Sequence, residues 1–140
     1  MIVFLDIDGV LHPRVGGGGF LPGCVTALSD ALRPFDIQIV VSSSWRLTCH
    51  LEELKKLLSG IGKPVIGKTV ELSRDGKHKR YREILAYLEE FDANVKWVAI
   101  DDASHFFPIG APVFTTNPKL GFIVQDTEGL QRLIRSENGQ

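Results

Sequence analysis

The chain has 140 residues, 44% hydrophobic and 24% charged, with 16 Lys+Arg against 17 Asp+Glu. That length supports one domain with its own core rather than two, and the apolar fraction argues against a disordered chain. A net charge of -1 speaks against a generic nucleic-acid binder, which carries a basic surplus to neutralise phosphates, while leaving room for a local basic patch. No apolar run approaches the ~20 residues that span a bilayer. The first run, Ile2 to Leu5, is stopped by Asp6 and is too short for a signal-peptide core. Cys24 and Cys49 stand in neither a CxxC nor a zinc pattern, so a reduced, cytoplasmic protein is expected.

In chain order, Ile2-Val3-Phe4-Leu5 is a continuous apolar run of the kind that forms a strand buried on both faces of a parallel sheet. Gly16 to Gly19 predict a mobile loop, since glycines raise backbone entropy, and no Lys-Ser or Lys-Thr follows to make a P-loop. Val25, Leu28, Ala31 and Leu32 recur at helical spacing between Pro22 and Pro34. Ile37 to Val41 reads as a second strand, rich in β-branched residues. A helical stripe of Leu51, Leu54, Leu57 and Leu58 is expected to stop near Gly60. Pro64 to Ile66 predicts a brief strand, and Tyr81, Ile84, Leu85 and Leu88 the apolar face of the next helix. Trp97 to Ile100 is a further strand and Val113 to Thr115 a last one. Leu130, Leu133 and Ile134 predict a C-terminal helix capped by Asp126 or Thr127. Strands alternating with helices predict an α/β fold: a Rossmann-like three-layer α/β/α sandwich around a parallel sheet of about five strands.

In such sheets ligands bind beyond the carboxyl ends of the strands, so the polar residues there form one group. They are Asp6 and Asp8 with Gly9; Ser42, Ser43 and Ser44; Lys77, Lys79 and Arg80 before the third helix; and Asp101 with Asp102. Carboxylates from two strands are hard oxygen ligands suited to Mg²⁺. Hydroxyls, backbone N–H groups and cations suit phosphate oxygens. One carboxylate can attack phosphorus while a second handles the leaving-group proton. Each group alone has an ordinary structural reading, as a strand end, a capping serine run, a solvated helical turn or a polar turn; one chemistry needs them together.

Phe4-Leu5-Asp6-Ile7-Asp8-Gly9-Val10-Leu11 resembles the first motif of the haloacid dehalogenase (HAD) superfamily. Ile39 to Ser43, the Lys77 to Arg80 region and Val98 to Asp102 resemble its second, third and fourth motifs in order. The resemblance implies Asp6 as nucleophile and Asp8 as general acid/base with its carbonyl on Mg²⁺. It implies Ser43 on the phosphoryl group, with Ser42 as fallback and Ser44 beside them. Arg80 is the first choice for the third-motif cation, with Lys79 and Lys77 as alternatives. Asp102 would ligate the metal directly and Asp101 would support it. The second acid, Asp8, implies phosphoryl transfer rather than dehalogenation.

The usual cap insertion points correspond to His12–Pro22 and Gly67–Gly76, both short, so 1–140 is expected to be a single capless domain with an open site. Such a site admits a bulky phosphorylated substrate, even a macromolecule; nucleic acid would enter only as substrate, and no membrane is implied. The Ser-Ser-Trp-Arg second motif and the short length also resemble small HAD domains associated with RNA repair. The competing readings are a receiver-like signalling domain and a non-catalytic phosphate-binding or partner module. The receiver places its acidic pair on the first strand and its phosphorylated Asp on the third, whereas here the second acidic group follows the fourth strand. His12, His50, His78 and His105 show no metal spacing and read as surface or structural, although His12 lies close enough to the first motif to touch substrate. Trp45 and Trp97 read as core rather than stacking platforms, and both cysteines as small core residues.

Overall fold

The computed structural model describes residues 1–16 and 19–140. The expected Gly16–Gly19 loop therefore falls partly on Gly17 and Gly18, outside the described residues. Five strands, β1 (Ile2–Leu5), β2 (Gln38–Val41), β3 (Val65–Lys68), β4 (Trp97–Asp101) and β5 (Val113–Thr115), form one all-parallel sheet in the order β3-β2-β1-β4-β5. Four helices flank it: α1 (Pro22–Leu32), α2 (Leu51–Leu57), α3 (Lys79–Phe91) and α4 (Thr127–Glu137). No helix among the described residues is long and apolar enough to cross a membrane.

β1 lies at the centre because all four of its side chains can be buried, alternately on opposite faces. Val3 and Leu5 join Ile39, Val41, Val98 and Ile100 in a core covered by α1, α2 and α4. Ile2 and Phe4 point the other way, with Val40 and Ala99, against Ile84 and Leu88 of α3. On that face Phe4 meets Tyr87 and Trp97 edge-on, both with ring centroids 5.7 Å apart. β2 and β4 pair with β1 on opposite sides, so strand order reverses at β1. The crevice beyond the carboxyl ends of β1 and β4 is the expected binding position.

Several boundaries differ from the sequence reading. The stripe from Leu51 stops near Gly60, as expected, but through a 3₁₀ turn, Ser59–Ile61, that carries buried Ile61 into the core before Gly62, at φ 78°, ends it. β3 runs on through Gly67 and Lys68; a side chain at Gly67 would collide with the Tyr87 hydroxyl. Leu85 is not on the buried face of α3; it is 42% exposed, and Glu83 is buried instead. Asp126 occupies the N-cap position of α4 but makes no side-chain capping bond to it: its carboxylate accepts from the Ile123 N–H at 3.0 Å and so closes the preceding 3₁₀ turn. Trp45 and Trp97 are half-buried and pack against the cores on opposite faces of the sheet. Cys24 is buried and Cys49 half-buried, and both are free thiols.

Candidate active site

The end of β1 builds the centre of the site. The Asp6 N–H still donates to Ile100 O (3.0 Å), so Asp6 is held by the sheet. Beyond it the chain turns back, with Val10 and Leu11 N–H groups donating to Ile7 O. Gly9 makes that turn at φ 77°, and a Cβ there would overlap the Asp102 carboxylate. The Thr116 hydroxyl, just after β5, donates to Gly9 O at 2.6 Å and ties the turn to the far side of the sheet.

Asp6, Asp101 and Asp102 are all buried, and one carboxylate oxygen of each lies within 4.8 Å of the others. Arg80, near the start of α3, places Nη1 at 2.5 Å from Asp101 Oδ2 and 3.4 Å from Asp6 Oδ1. The Ala103 N–H donates to Asp101 Oδ1 at 2.9 Å. Both oxygens of Asp102 accept from Arg14, at 2.6 Å each, across 88 residues of sequence. Asp6 Oδ2 is buried and has no hydrogen-bond partner among the described residues. A buried carboxylate oxygen left in this state is costly. Three converging carboxylates, one with such an oxygen, fit a hard cation: the acidic triad can hold a metal ion.

Electrostatics follow this packing. Burial, reinforced by neighbouring Asp101, pushes the Asp6 carboxyl well above its ordinary range, and Arg80 opposes the shift. Burial likewise raises Asp101 against the pull of Arg80. Burial works in the same sense on Asp102, but the two-pronged Arg14 contact outweighs it and holds that carboxyl below its usual value. Arg80 is itself desolvated, yet Asp101 and Asp6 together raise it, so it is a permanent cation.

The serines divide. Ser42 and Ser43 are buried, and Ser43 Oγ accepts from the Trp45 N–H (3.2 Å), which opens the 3₁₀ turn Ser44–Leu47. Ser44 is exposed and lines the cleft. Of the three candidate cations, Arg80 alone contacts Asp6. Lys79 pairs with Glu83 at 3.1 Å, and Lys77 is exposed on the wall of the cleft. That cleft, about 630 Å³, runs from Asp6 and Asp8 past Arg74 and Lys77 to His105 and Phe106. Arg80 sits 5.1 Å from the centre of the Phe106 ring.

Four features escaped the sequence reading. Asp8 Oδ1 is met by His12 Nε2 at 2.7 Å and by Trp45 Nε1 at 3.0 Å. Arg14 reaches Asp102. Arg46, in the turn after β2, is buried and pairs with buried Glu83 of α3 at 2.8 Å. Its remaining donors reach Thr69 O (3.0 Å), Ser43 O (2.9 Å) and Ser42 O (3.2 Å), while Glu83 also accepts from the Leu72 N–H (2.9 Å). This pair therefore binds the ends of β2 and β3 to the first turns of α3. The fourth is the ring pair His105–Phe106, 4.3 Å apart, at the far end of the cleft. The His12 contact had a local signal, a histidine four residues after Asp8; the other partners lie too far apart in sequence to be paired by spacing.

A five-stranded parallel sheet with acids after β1 and β4, hydroxyls after β2 and an arginine opening α3 defines a HAD-like domain. The family model described as the HAD domain in Swiss Army Knife RNA repair proteins matches residues 2–127, and the chain belongs to that family. A search of curated proteins finds no match to this sequence.

Proposed function

We propose that the chain is a Mg²⁺-dependent phosphohydrolase that acts through an aspartyl-phosphate on Asp6. The observation that carries this reading is the buried Asp6 Oδ2, a carboxylate oxygen without a hydrogen-bond partner among the described residues, beside two further buried acids and Arg80. Asp6, Asp102 and the Asp8 carbonyl would hold the ion, with Asp101 in support. Bound there, Mg²⁺ supplies charge neutralisation for the Asp6 carboxylate and the phosphoryl oxygens.

Asp6 attacks phosphorus, and the bond to the leaving-group oxygen breaks as Asp8 gives that oxygen its proton. Asp8, now ionised, takes a proton from water. The water oxygen attacks phosphorus, the bond to Asp6 breaks, and phosphate leaves with both aspartates restored. Arg80 stabilises charge on the phosphoryl group and favours ionised Asp6. Ser43, whose oxygen accepts from Trp45 and whose own hydrogen is free to donate, binds a phosphoryl oxygen, with Ser42 and Ser44 beside it. Lys77 and Lys79 enlarge the positive field at the entrance.

The family description and the cleft support one substrate class. The match is to a domain of RNA repair proteins. The cleft is open, carries exposed Arg74 and Lys77 for further phosphates, and ends at His105 and Phe106, rings on which a base can stack. We infer that it takes a terminal phosphomonoester of RNA. A Mg²⁺ assay across 3′- and 5′-phosphorylated oligoribonucleotides, the matching deoxy oligomers, mononucleotides and sugar phosphates tests both parts. RNA ends should turn over at least tenfold faster than sugar phosphates, and Asp6→Asn should abolish turnover. Full activity in Asp6→Asn would overturn the nucleophile, and a preference for sugar phosphates would overturn the substrate class.

A further inference from the structure

Asp8 offers two carboxylate oxygens, and the structure treats them unequally. Oδ1 is met by His12 Nε2 (2.7 Å) and by the Trp45 indole N–H (3.0 Å). No hydrogen bond from another described residue is made to Oδ2. The side chain of Asp8 remains 29% exposed and lines the cleft, while that of His12 is 13% exposed.

The two holding groups come from different strand ends and are themselves held. His12 Nδ1 meets the Pro13 carbonyl at 2.6 Å; a carbonyl only accepts, so Nδ1 donates there, and the ring holds Asp8 Oδ1 with a second hydrogen, donated from Nε2. The His12 ring lies parallel to Phe20, with an interplanar angle of 10° and centroids 6.4 Å apart. Phe20 packs in turn on Trp45, with centroids 5.4 Å apart. Trp45 sits in the 3₁₀ turn opened by the buried Ser43. Neither ring is free to leave Oδ1 without breaking a second contact.

We propose that His12 and Trp45 are positioning residues that clamp Asp8 by one oxygen and so present the other, Oδ2, to the leaving group. The proposal rests on the reading of Asp8 as general acid/base and adds the device that aims it. A carboxyl that swings about its χ2 axis spends part of its time misdirected, and fixed second partners remove that loss. Phe20 and Trp45 are half-buried and pack against the main core as well, which fixes the rings beside His12.

The effect should depend on how much the leaving group needs a proton. p-Nitrophenolate departs readily without an acid, whereas the alkoxide of an alkyl phosphate does not. The value of kcat/KM reports events up to leaving-group departure and is independent of the later hydrolysis of the phosphoenzyme. The experiment measures kcat/KM of the full chain with Mg²⁺ for p-nitrophenyl phosphate and for an alkyl phosphomonoester. The variants are His12→Phe, which keeps the ring but not the hydrogen bond, and Trp45→Phe, which removes the N–H. With the alkyl ester, His12→Phe should lose about 10- to 100-fold and Trp45→Phe about 3- to 10-fold. With p-nitrophenyl phosphate, both should stay within about threefold of the parent. An equal loss on both esters, or no loss on either, overturns the clamp alone. Undiminished turnover by Asp6→Asn overturns the phosphohydrolase reading and the clamp with it.

Discussion

Arg46 and Glu83 form an ion pair almost wholly withdrawn from water, with Nη2 and Oε2 2.8 Å apart and side chains 3% and 1% exposed. Removing one member of such a pair strands the other charge, which costs more than the pair itself contributes. Glu83→Ala should therefore lower unfolding stability by about 3–5 kcal/mol, read from urea denaturation. Glu83→Gln, which keeps an acceptor for Arg46 and for the Leu72 N–H, should lose visibly less. A loss below about 1 kcal/mol for the alanine variant would mean the pair does not anchor the loops.

Asp6 lies under the opposite constraint, because its burial beside Asp101 disfavours its charge. An acid whose folded pKa is raised weakens the fold as pH climbs from its unfolded value near 3.9 to its folded value. Asp6→Asn removes that burden, so it should be inactive yet more stable at neutral pH. A rise in Tm of about 3–4 °C would correspond to roughly 1 kcal/mol in a domain of this size. The gain over the parent should be small at pH 4, grow with pH, and level off above the folded pKa of Asp6. Thermal scans in EDTA across pH check the sign; a gain that shrinks with rising pH would contradict it.

A cation bound to the triad stabilises the folded chain by mass action, about 2.7 kcal/mol at a hundred times its Kd. Millimolar Mg²⁺ should raise Tm, EDTA should reverse the rise, and Asp102→Asn should lack it. Arg14→Gln removes the guanidinium on Asp102 and leaves three clustered carboxylates with one fewer counter-charge. Its Tm should be lower than the parent's in EDTA, and its Mg²⁺-induced rise larger. An unchanged Mg²⁺ response in Asp102→Asn would remove Asp102 from the metal site.

Gly9 joins a left-handed backbone to a close approach, and Gly9→Ala violates both. The backbone alone should cost about 1–3 kcal/mol, and the Asp102 carboxylate must also move. Denaturant midpoints should show the loss, and Mg²⁺ should stabilise the variant less than the parent.

All five strands and four helices were anticipated from residue patterns because each is specified locally. Ile2 to Leu5 can only be a strand with both faces covered, and the pattern ending in Ile84 and Leu88 can only bury one side of a helix. The acids after β1 and β4 were legible as a group because a parallel sheet delivers its strand ends to one edge. The exposure of Leu85 and the turn of the Asp126 carboxylate toward Ile123 were not legible, because a shoulder residue and a cap's hydrogen bond depend on which neighbours pack beside them.

The sequence by itself determined the sheet, the helices and the family resemblance, since apolar periodicity and short motifs depend on near neighbours. Only the tertiary structure decided the pairing of charges. Arg14, Arg46 and Glu83 look like ordinary surface residues in the sequence, Asp102 reads as a metal ligand with no sign of its arginine, and the balance of 16 basic against 17 acidic residues conceals both pairings. Their partners are chosen by where strand ends and loops converge, and burial then sets how strongly each charge is felt. The same convergence brings Trp45 across from β2 to Asp8, a contact that no spacing along the chain could specify.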